Sequence, residues 1–381
     1  MAAPVLAHGL GIGIATFGIA VAIIRLASLA SVPVLRLADR WGRRALLLIS
    51  LGAFTLATGM TALAFGLVAF VLLQMMARVF LATESALAGL VIAEELRPHR
   101  RGAGLSLLGL VSGMGFGAVG ALMLLVPVTP LGWRIFYLAA LAPLAIVAYL
   151  RRNLRETEAF TVARAEKRVQ TTLWPRVGKE HRGPHVRILA LVSAFGLVQT
   201  TGFFYAADLA QTGYGWTGLF TMVIITAGVF GVGGFFLGGR VSDLVGRRPM
   251  VAVGVLLVAA GTMLMFTRMP GLFIPGFYLS AAGSACFFAS TIAYVAELFP
   301  TEIRATLSSL VVAAQVAAGS LGLVVVGAFA GTVSPSHLLF VGGVLLGLSV
   351  LILRRLPETH GRDLIGHTRP ALVPVPAVAT A

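Results

Sequence analysis

Apolar residues run along this chain in blocks of about 20, long enough for a helix rising 1.5 Å per residue to cross a hydrocarbon core of roughly 30 Å. The pattern predicts spans at 14–36, 45–66, 68–95, 103–126, 132–150, 187–210, 216–240, 249–267, 271–298, 305–331 and 336–353. Short polar clusters rich in arginine and glycine close alternate blocks. Glycines recurring at three- and four-residue spacing, Gly109, Gly113, Gly115, Gly117 and Gly120 and then Gly228, Gly231, Gly234 and Gly238, lie inside apolar blocks. They have neither a preceding strand nor a lysine, so the expectation is close helix packing rather than a nucleotide loop.

The polar clusters repeat. Asp39-Arg40-Trp41-Gly42-Arg43-Arg44 returns as Asp243-Leu244-Val245-Gly246-Arg247-Arg248, Ala93-Glu94 to Arg101 as Ala296-Glu297 to Arg304, and Leu154 to Thr157 as Leu356 to Thr359. One order and a nearly constant offset imply two homologous halves. They divide the chain into a bundle at 1–150, a linker at 151–186, a second bundle at 187–355 and a tail at 356–381. Beyond Arg362 the tail is rich in Pro, Ala and Val, and disorder is expected there. Moving the 187–210 span back by the same offset puts its partner almost wholly before Met1. About eleven spans of an expected twelve are therefore present, and the first helix is expected to be missing by truncation or a mis-set start, the alternative being a genuine eleven-span protein with an external N-terminus.

Composition agrees with a membrane solvent: 58% of residues are hydrophobic and 11% charged, against roughly 25% charged in soluble domains. The net charge of +15 does not form a stripe with interleaved aromatics, so nucleic-acid binding is not expected. Basic residues gather instead in alternate loops, in the linker and before the tail. By the positive-inside rule these are cytoplasmic, including the C-terminus. The single cysteine, Cys286, excludes an intrachain disulfide, and neither a metal cluster nor a Walker sequence is visible, so no cofactor is expected and an ATP-driven pump is disfavoured.

The paired D-x-x-G-R-R loops, A-E-E-L-R-P-H-R-R-G at Ala93 to Gly102, A-E-L-F-P-T-E-I-R-A at Ala296 to Ala305 and L-P-E-T-H-G-R at Leu356 to Arg362 resemble the major facilitator superfamily, nearest its sugar porters and metabolite:proton symporters. The resemblance implies an all-α polytopic fold of two pseudo-symmetric bundles and a monomeric secondary transporter with no enzymatic activity. It also implies a conformational charge network made of Asp39, Gly42, Arg43, Arg44, Glu94 and Arg101 with Asp243, Gly246, Arg247, Arg248, Glu297 and Arg304. A carboxylate where a helix leaves the membrane can cap a neighbouring helix or pair with a guanidinium. For the arginines, anchoring at an anionic inner surface remains an alternative. Leu35 departs from the family glycine that the second copy keeps as Gly239.

Charges inside spans cost about 2.5–3.5 kcal/mol on insertion scales. Arg25, Arg78 and Glu84 are such charges, and they are the proton-coupling candidates, with Glu84 balanced by Arg25 or Arg78, or else a static pair. Arg78 resembles the fourth-helix arginine of sugar porters. Gln199-Thr200-Thr201-Gly202-Phe203-Phe204 resembles their Q-x-x-G-x-N sugar-binding pattern, with Phe204 in place of asparagine. This favours a less hydroxylated or partly aromatic solute. Gln199, Tyr205, Tyr294 and Gln315 are candidate cavity residues, with plain interhelical hydrogen bonding as the alternative. The expected activity is transport of a small organic metabolite across the cell membrane, driven by protons. A drug or metabolite exporter, a non-transporting sensor and an inactive truncated form are the alternatives.

Overall fold

The structure, a computed structural model, describes residues 3–35, 37, 41–95, 107, 111, 115, 118–151, 179–299 and 301–359. The chain enters through the short helix α1 (Ala3–Gly9) and then α2 (Ile14–Ala27), which a 3-10 turn continues into α3 (Ser31–Leu35). Among the described residues the first bundle continues with α4 (Arg43–Thr61), α5 (Gly66–Glu95) and α6 (Ile135–Arg151). The second comprises α7 (Lys179–Asp208), α8 (Thr217–Phe236), the single turn α9 (Ser242–Val245), α10 (Arg247–Phe266), α11 (Pro270–Leu298), α12 (Thr301–Phe329) and α13 (Pro335–Ser349).

Among the described residues nine helices are long and apolar enough to cross a membrane. The span expected at 132–150 is α6, 17 residues long; most of 103–126 lies outside the described residues. In hydrocarbon each backbone polar group must be satisfied within its own segment, which selects helices. Hydroxyls inside the spans obey the same constraint. Ser50, Thr55, Thr61 and Thr83 each donate to the carbonyl four residues back, at 2.7–2.9 Å.

The duplication is visible in space. In the first bundle α4 packs on α5 and α6, and α2 on α5; in the second α10 packs on α11 and α13, and α8 on α11. Gly42 (φ 96°, ψ 156°) and Gly246 (φ 117°, ψ 156°) open α4 and α10 in the same backbone conformation. That region is costly for any residue with a Cβ, so the glycines in the two loops are structural requirements.

Glycine packing is partly relocated. Gly234 and Gly238 lie against the backbone of Ala282 and Cys286 on α11, and Gly120 approaches Ile224 and Ile225, but Gly115, Gly228 and Gly231 meet nothing. Gly109, Gly113 and Gly117 are outside the described residues. The tighter contacts are Gly254 and Gly261 of α10 against Gly283 and Gly276 of α11, and Gly196 of α7 against Gln315 of α12. On the side where Leu35 replaces glycine, that leucine packs with Leu46, Leu47 and Leu87.

Two boundaries differ from expectation. Helix α7 starts at Lys179 and runs through Pro184, ahead of the apolar block. The tail does not begin loose at 356. Leu356 and Thr359 are buried, and the strand of chain between them docks on α10 and α11; residues 152–178 and 360–381 are outside the described residues.

Three buried apolar clusters define how the bundles meet. One joins Phe17, Phe70 and Trp133 of the first bundle to Phe204, Tyr205, Phe220 and Phe273 of the second. The other two belong to single bundles: Leu46, Leu47 and Leu87 in the first, and a set including Ile188, Phe195, Val251, Phe287 and Leu353 in the second. The shared cluster lies at the end away from the D-x-x-G-R-R loops. Toward those loops, among the described residues, each bundle has its own core.

Candidate functional site

The loop end of the second bundle holds a closed set of polar contacts built on Arg247. Its guanidinium bonds Asp243 one turn earlier at 2.6 Å and Glu297 of α11 at 2.9 Å, and donates to Ser242 Oγ at 2.6 Å. Arg247 and Glu297 are each 14% exposed at the side chain, whereas Asp243 is 57% exposed. The Arg247–Glu297 pair is therefore the stronger contact, because water screens Asp243. The second oxygen of Glu297 accepts from Thr359 Oγ1 at 2.9 Å.

The helix cap comes from elsewhere in the sequence. Asp243 was a candidate for either a cap or an ion pair, and it takes the ion pair; the cap is Glu358. Its carboxylate accepts the backbone N–H of Arg247 at 2.9 Å and of Arg248 at 3.2 Å. These are free first-turn donors at the positive end of the helix dipole. Gly246 must lack a side chain partly for this reason, since a Cβ would stand 3.1 Å from Glu358 Oε2. Arg248 reaches back to Leu356 O at 3.4 Å, and Arg187 of α7 to Arg355 O at 2.9 Å. Residues 355–359 thus strap α7, α10 and α11 together.

Tyr294 belongs to this strap. It is fully buried within the second bundle, and its hydroxyl donates to Pro357 O at 2.6 Å. The hydroxyl of this cavity candidate is thus engaged with the strap. In the first copy Asp39 and Arg101 are outside the described residues, as are the side chains of Arg43 and Glu94. Glu94 lies in the last turn of α5. Arg44 is exposed at the start of α4, and the Arg304 side chain is likewise not described.

Midway along the helices the two bundles touch through polar groups. Arg25 of α2 donates from Nη2 to Thr200 Oγ1 of α7 at 3.0 Å, rather than to Glu84. Glu84 accepts from Ser50 Oγ of α4 at 3.1 Å. Gln199 and Gln315 are half-buried, and Gln315 lies against Gly196. Tyr205 is buried with its hydroxyl unpartnered, near Gly18 of α2 and Gly327 of α12.

Aromatic rings close the space between this layer and the far end. Phe17 stacks on Phe204 with centroids 6.3 Å apart, Phe17 lies 6.1 Å from Phe70, and Phe70 meets Trp133 and Tyr137 edge-on at 5.8 and 6.0 Å. Phe204 is an element of this plug. Sequence reasoning missed Glu358, Thr359, Ser242 and Thr200. For Glu358 and Thr359 a signal existed, the repeated L-x-E-T at 154–157 and 356–359; for Thr200 only the fold provides the partner.

Comparison with known proteins agrees with this arrangement. The family model described as Major Facilitator Superfamily matches residues 1–243 and again 222–377. A Haemophilus influenzae protein provisionally named a metabolite transport protein is 27% identical over 310 residues, 76% of this chain and 74% of that one. A Bacillus subtilis protein provisionally named the niacin/nicotinamide transporter NiaP is 25% identical over 304 residues, covering 77% and 74%. The crystal structure of a D-xylose-proton symporter superposes with a TM-score of 0.74 at 19% identity, over 95% of this chain and 93% of that one. The inward-open xylose transporter XylE from E. coli gives 0.73 at 18% identity, over 92% and 88%. At such identities the structures speak for the fold alone. The chain belongs to the major facilitator superfamily, and it is a multi-pass membrane transporter rather than an enzyme.

Proposed function

We propose that this protein is a secondary active transporter that carries a small organic metabolite across the cell membrane by alternating access, coupled to protons. The observation that carries the reading is the unequal joining of the bundles: one shared apolar core at the far end, separate cores toward the loops. If the basic loops are cytoplasmic, as the positive-inside rule requires, the linker and C-terminus are also cytoplasmic and this geometry faces inward. Solute then binds between the bundles beneath the aromatic plug. Rocking opens the plug and brings the loop ends together.

The names of the relatives support a metabolite as cargo. For the proton, Glu84 is the carboxylate best situated inside a span. Ser50 has one hydroxyl proton and a shorter contact, 2.7 Å, to Leu46 O. That hydroxyl can turn its one proton to an ionised Glu84, or keep it on Leu46 O and accept from a protonated Glu84, so this site can host either charge state. The protein acts as a monomer in the bilayer, without cofactor.

The test is uptake into proteoliposomes, with a panel of aromatic acids, small carboxylates and sugars, with and without an inward proton gradient. Gradient-driven accumulation of one solute is expected, and Glu84→Gln should leave exchange but abolish accumulation. Accumulation unchanged in Glu84→Gln would remove Glu84 as the coupling group. Binding without counterflow of any bound solute would remove transport itself.

A further inference from the structure

At the loop end of the second bundle α10 and α13 leave an open cleft of about 300 Å³ between them. Arg248, Pro249 and Ala252 line it from α10. Val350, Leu353 and Arg354 line it from the 3-10 helix Val350–Arg355 that continues α13, and the strap adds Glu358. Farther into the span the two helices close up, with Gly343 of α13 against Met263 and Gly347 against Ala259 of α10.

The lining divides by chemistry. Pro249, Ala252, Val350 and Leu353 offer no hydrogen-bonding side chain. The one carboxylate is already engaged, since Glu358 accepts the N–H groups of Arg247, Arg248 and Thr359. The two arginines have far less: the Arg248 guanidinium makes a long bond to Leu356 O at 3.4 Å, and among the described residues no hydrogen bond or ion pair reaches the exposed Arg354. The apolar surface also continues away from the charges. Pro249, Ala252, Val253 and Leu256 recur at i, i+3, i+4 and i+7 on one face of α10, with Val253 and Leu256 exposed, and Leu348 and Leu351 are exposed on the neighbouring element. From Arg248 to Leu256 is eight residues, about 12 Å into the apolar span.

We propose that this cleft binds an anionic phospholipid. The inference goes beyond the transporter reading and needs only that the chain spans a bilayer. The lipid phosphate accepts from Arg248 and Arg354, whose planar guanidiniums match phosphate oxygens, and an acyl chain lies along Ala252, Val253 and Leu256. A soluble metabolite would find no partner for its hydroxyls on that floor, and a soluble anion would leave the apolar face uncovered. A headgroup without a cation is favoured, because the ammonium of phosphatidylcholine or phosphatidylethanolamine would add positive charge where two arginines already outnumber one engaged carboxylate. The chain's own tail is a poor source of the anion: residues 360–381 hold Arg362 and Arg369 against Asp363 alone.

The test is native mass spectrometry of the purified full-length chain in detergent, titrated with dioctanoyl phosphatidylglycerol, dioctanoyl phosphatidylcholine and, as the headgroup without its chains, glycerol phosphate. Phosphatidylglycerol is expected to bind more tightly than phosphatidylcholine, by about fivefold for each arginine engaged. Arg248→Gln and Arg354→Gln should each remove about that factor, and Arg354→Lys should keep most of it. Arg182→Gln, at an exposed arginine near the start of α7, should change nothing. Because Arg354 is exposed and makes no bond to the described fold, its variant tests the site even if Arg248→Gln fails to fold. Equal binding of the two lipids, glycerol phosphate binding as tightly as phosphatidylglycerol, a preference untouched by Arg354→Gln, or the same loss from Arg182→Gln would overturn the proposal. So would a failure of phosphatidylglycerol to bind at all, the result expected if the linker or the tail fills the cleft.

Discussion

Glu358 caps the helix that begins at Arg247 from more than a hundred residues away, accepting the Arg247 N–H at 2.9 Å. A cap of this kind contributes about 1 kcal/mol, and an anion at a helix N-terminus up to about 1 kcal/mol more. Glu358→Ala is expected to lower the melting temperature of the protein in nanodiscs by several degrees and to release the strap to limited proteolysis. Unchanged melting and cleavage would show that the strap is held by Leu356 and Tyr294 without the cap.

Within the Arg247 network the two carboxylates should not be equal. Removing the charge of Glu297 leaves a guanidinium in a site 14% exposed with its main partner neutral, a loss of order 3 kcal/mol. Asp243 is 57% exposed, and its pair contributes about 0–1 kcal/mol. Glu297→Gln should therefore depress stability and uptake far more than Asp243→Asn at equal expression. Equal effects would mean that Asp243 acts mainly in the other conformation, where its surroundings change.

Gly246→Ala puts a side chain on a backbone at φ 117°, a strain of about 1–3 kcal/mol. It also crowds Glu358, 3.1 Å away. Reduced membrane yield and early melting are expected, and Gly42→Ala should behave alike because the conformation is shared. Normal yield and melting for both would contradict the loop account.

The plug makes a separate forecast. Phe204→Ala removes a ring 8% exposed from the only apolar cluster, among the described residues, that joins the bundles; large-to-small changes of this kind cost about 3–5 kcal/mol. The variant should favour the state open at the far end. A thiol reagent should then reach a cysteine at Tyr205 from that side faster than in the parent; equal rates would show that the plug does not hold the gate.

How far the sequence could be read follows from range. The spans and the duplication are legible because block length, loop charge and repeated clusters are local or periodic signals. Gly42 and Gly246 were legible for the same reason. Arg25's bond to Thr200 was not, since it crosses between the halves and nothing local marks it. The contact of Tyr294 with the strap was not legible either, because Pro357 lies 63 residues away in sequence. Helix α7 extends ahead of its apolar block through Lys179 to Arg187, where hydropathy ends but backbone hydrogen bonding continues.

The measurement that bears most directly on alternating access is the distance between spin labels at Trp41→Cys and Leu244→Cys, in a background with Cys286→Ser. Both positions are exposed on the two D-x-x-G-R-R loops, one in each half. The account predicts two distance populations by electron-spin resonance, a longer one matching the geometry described above and a shorter one that grows or shrinks with pH and bound solute. A single distance, the same under every condition, would contradict it.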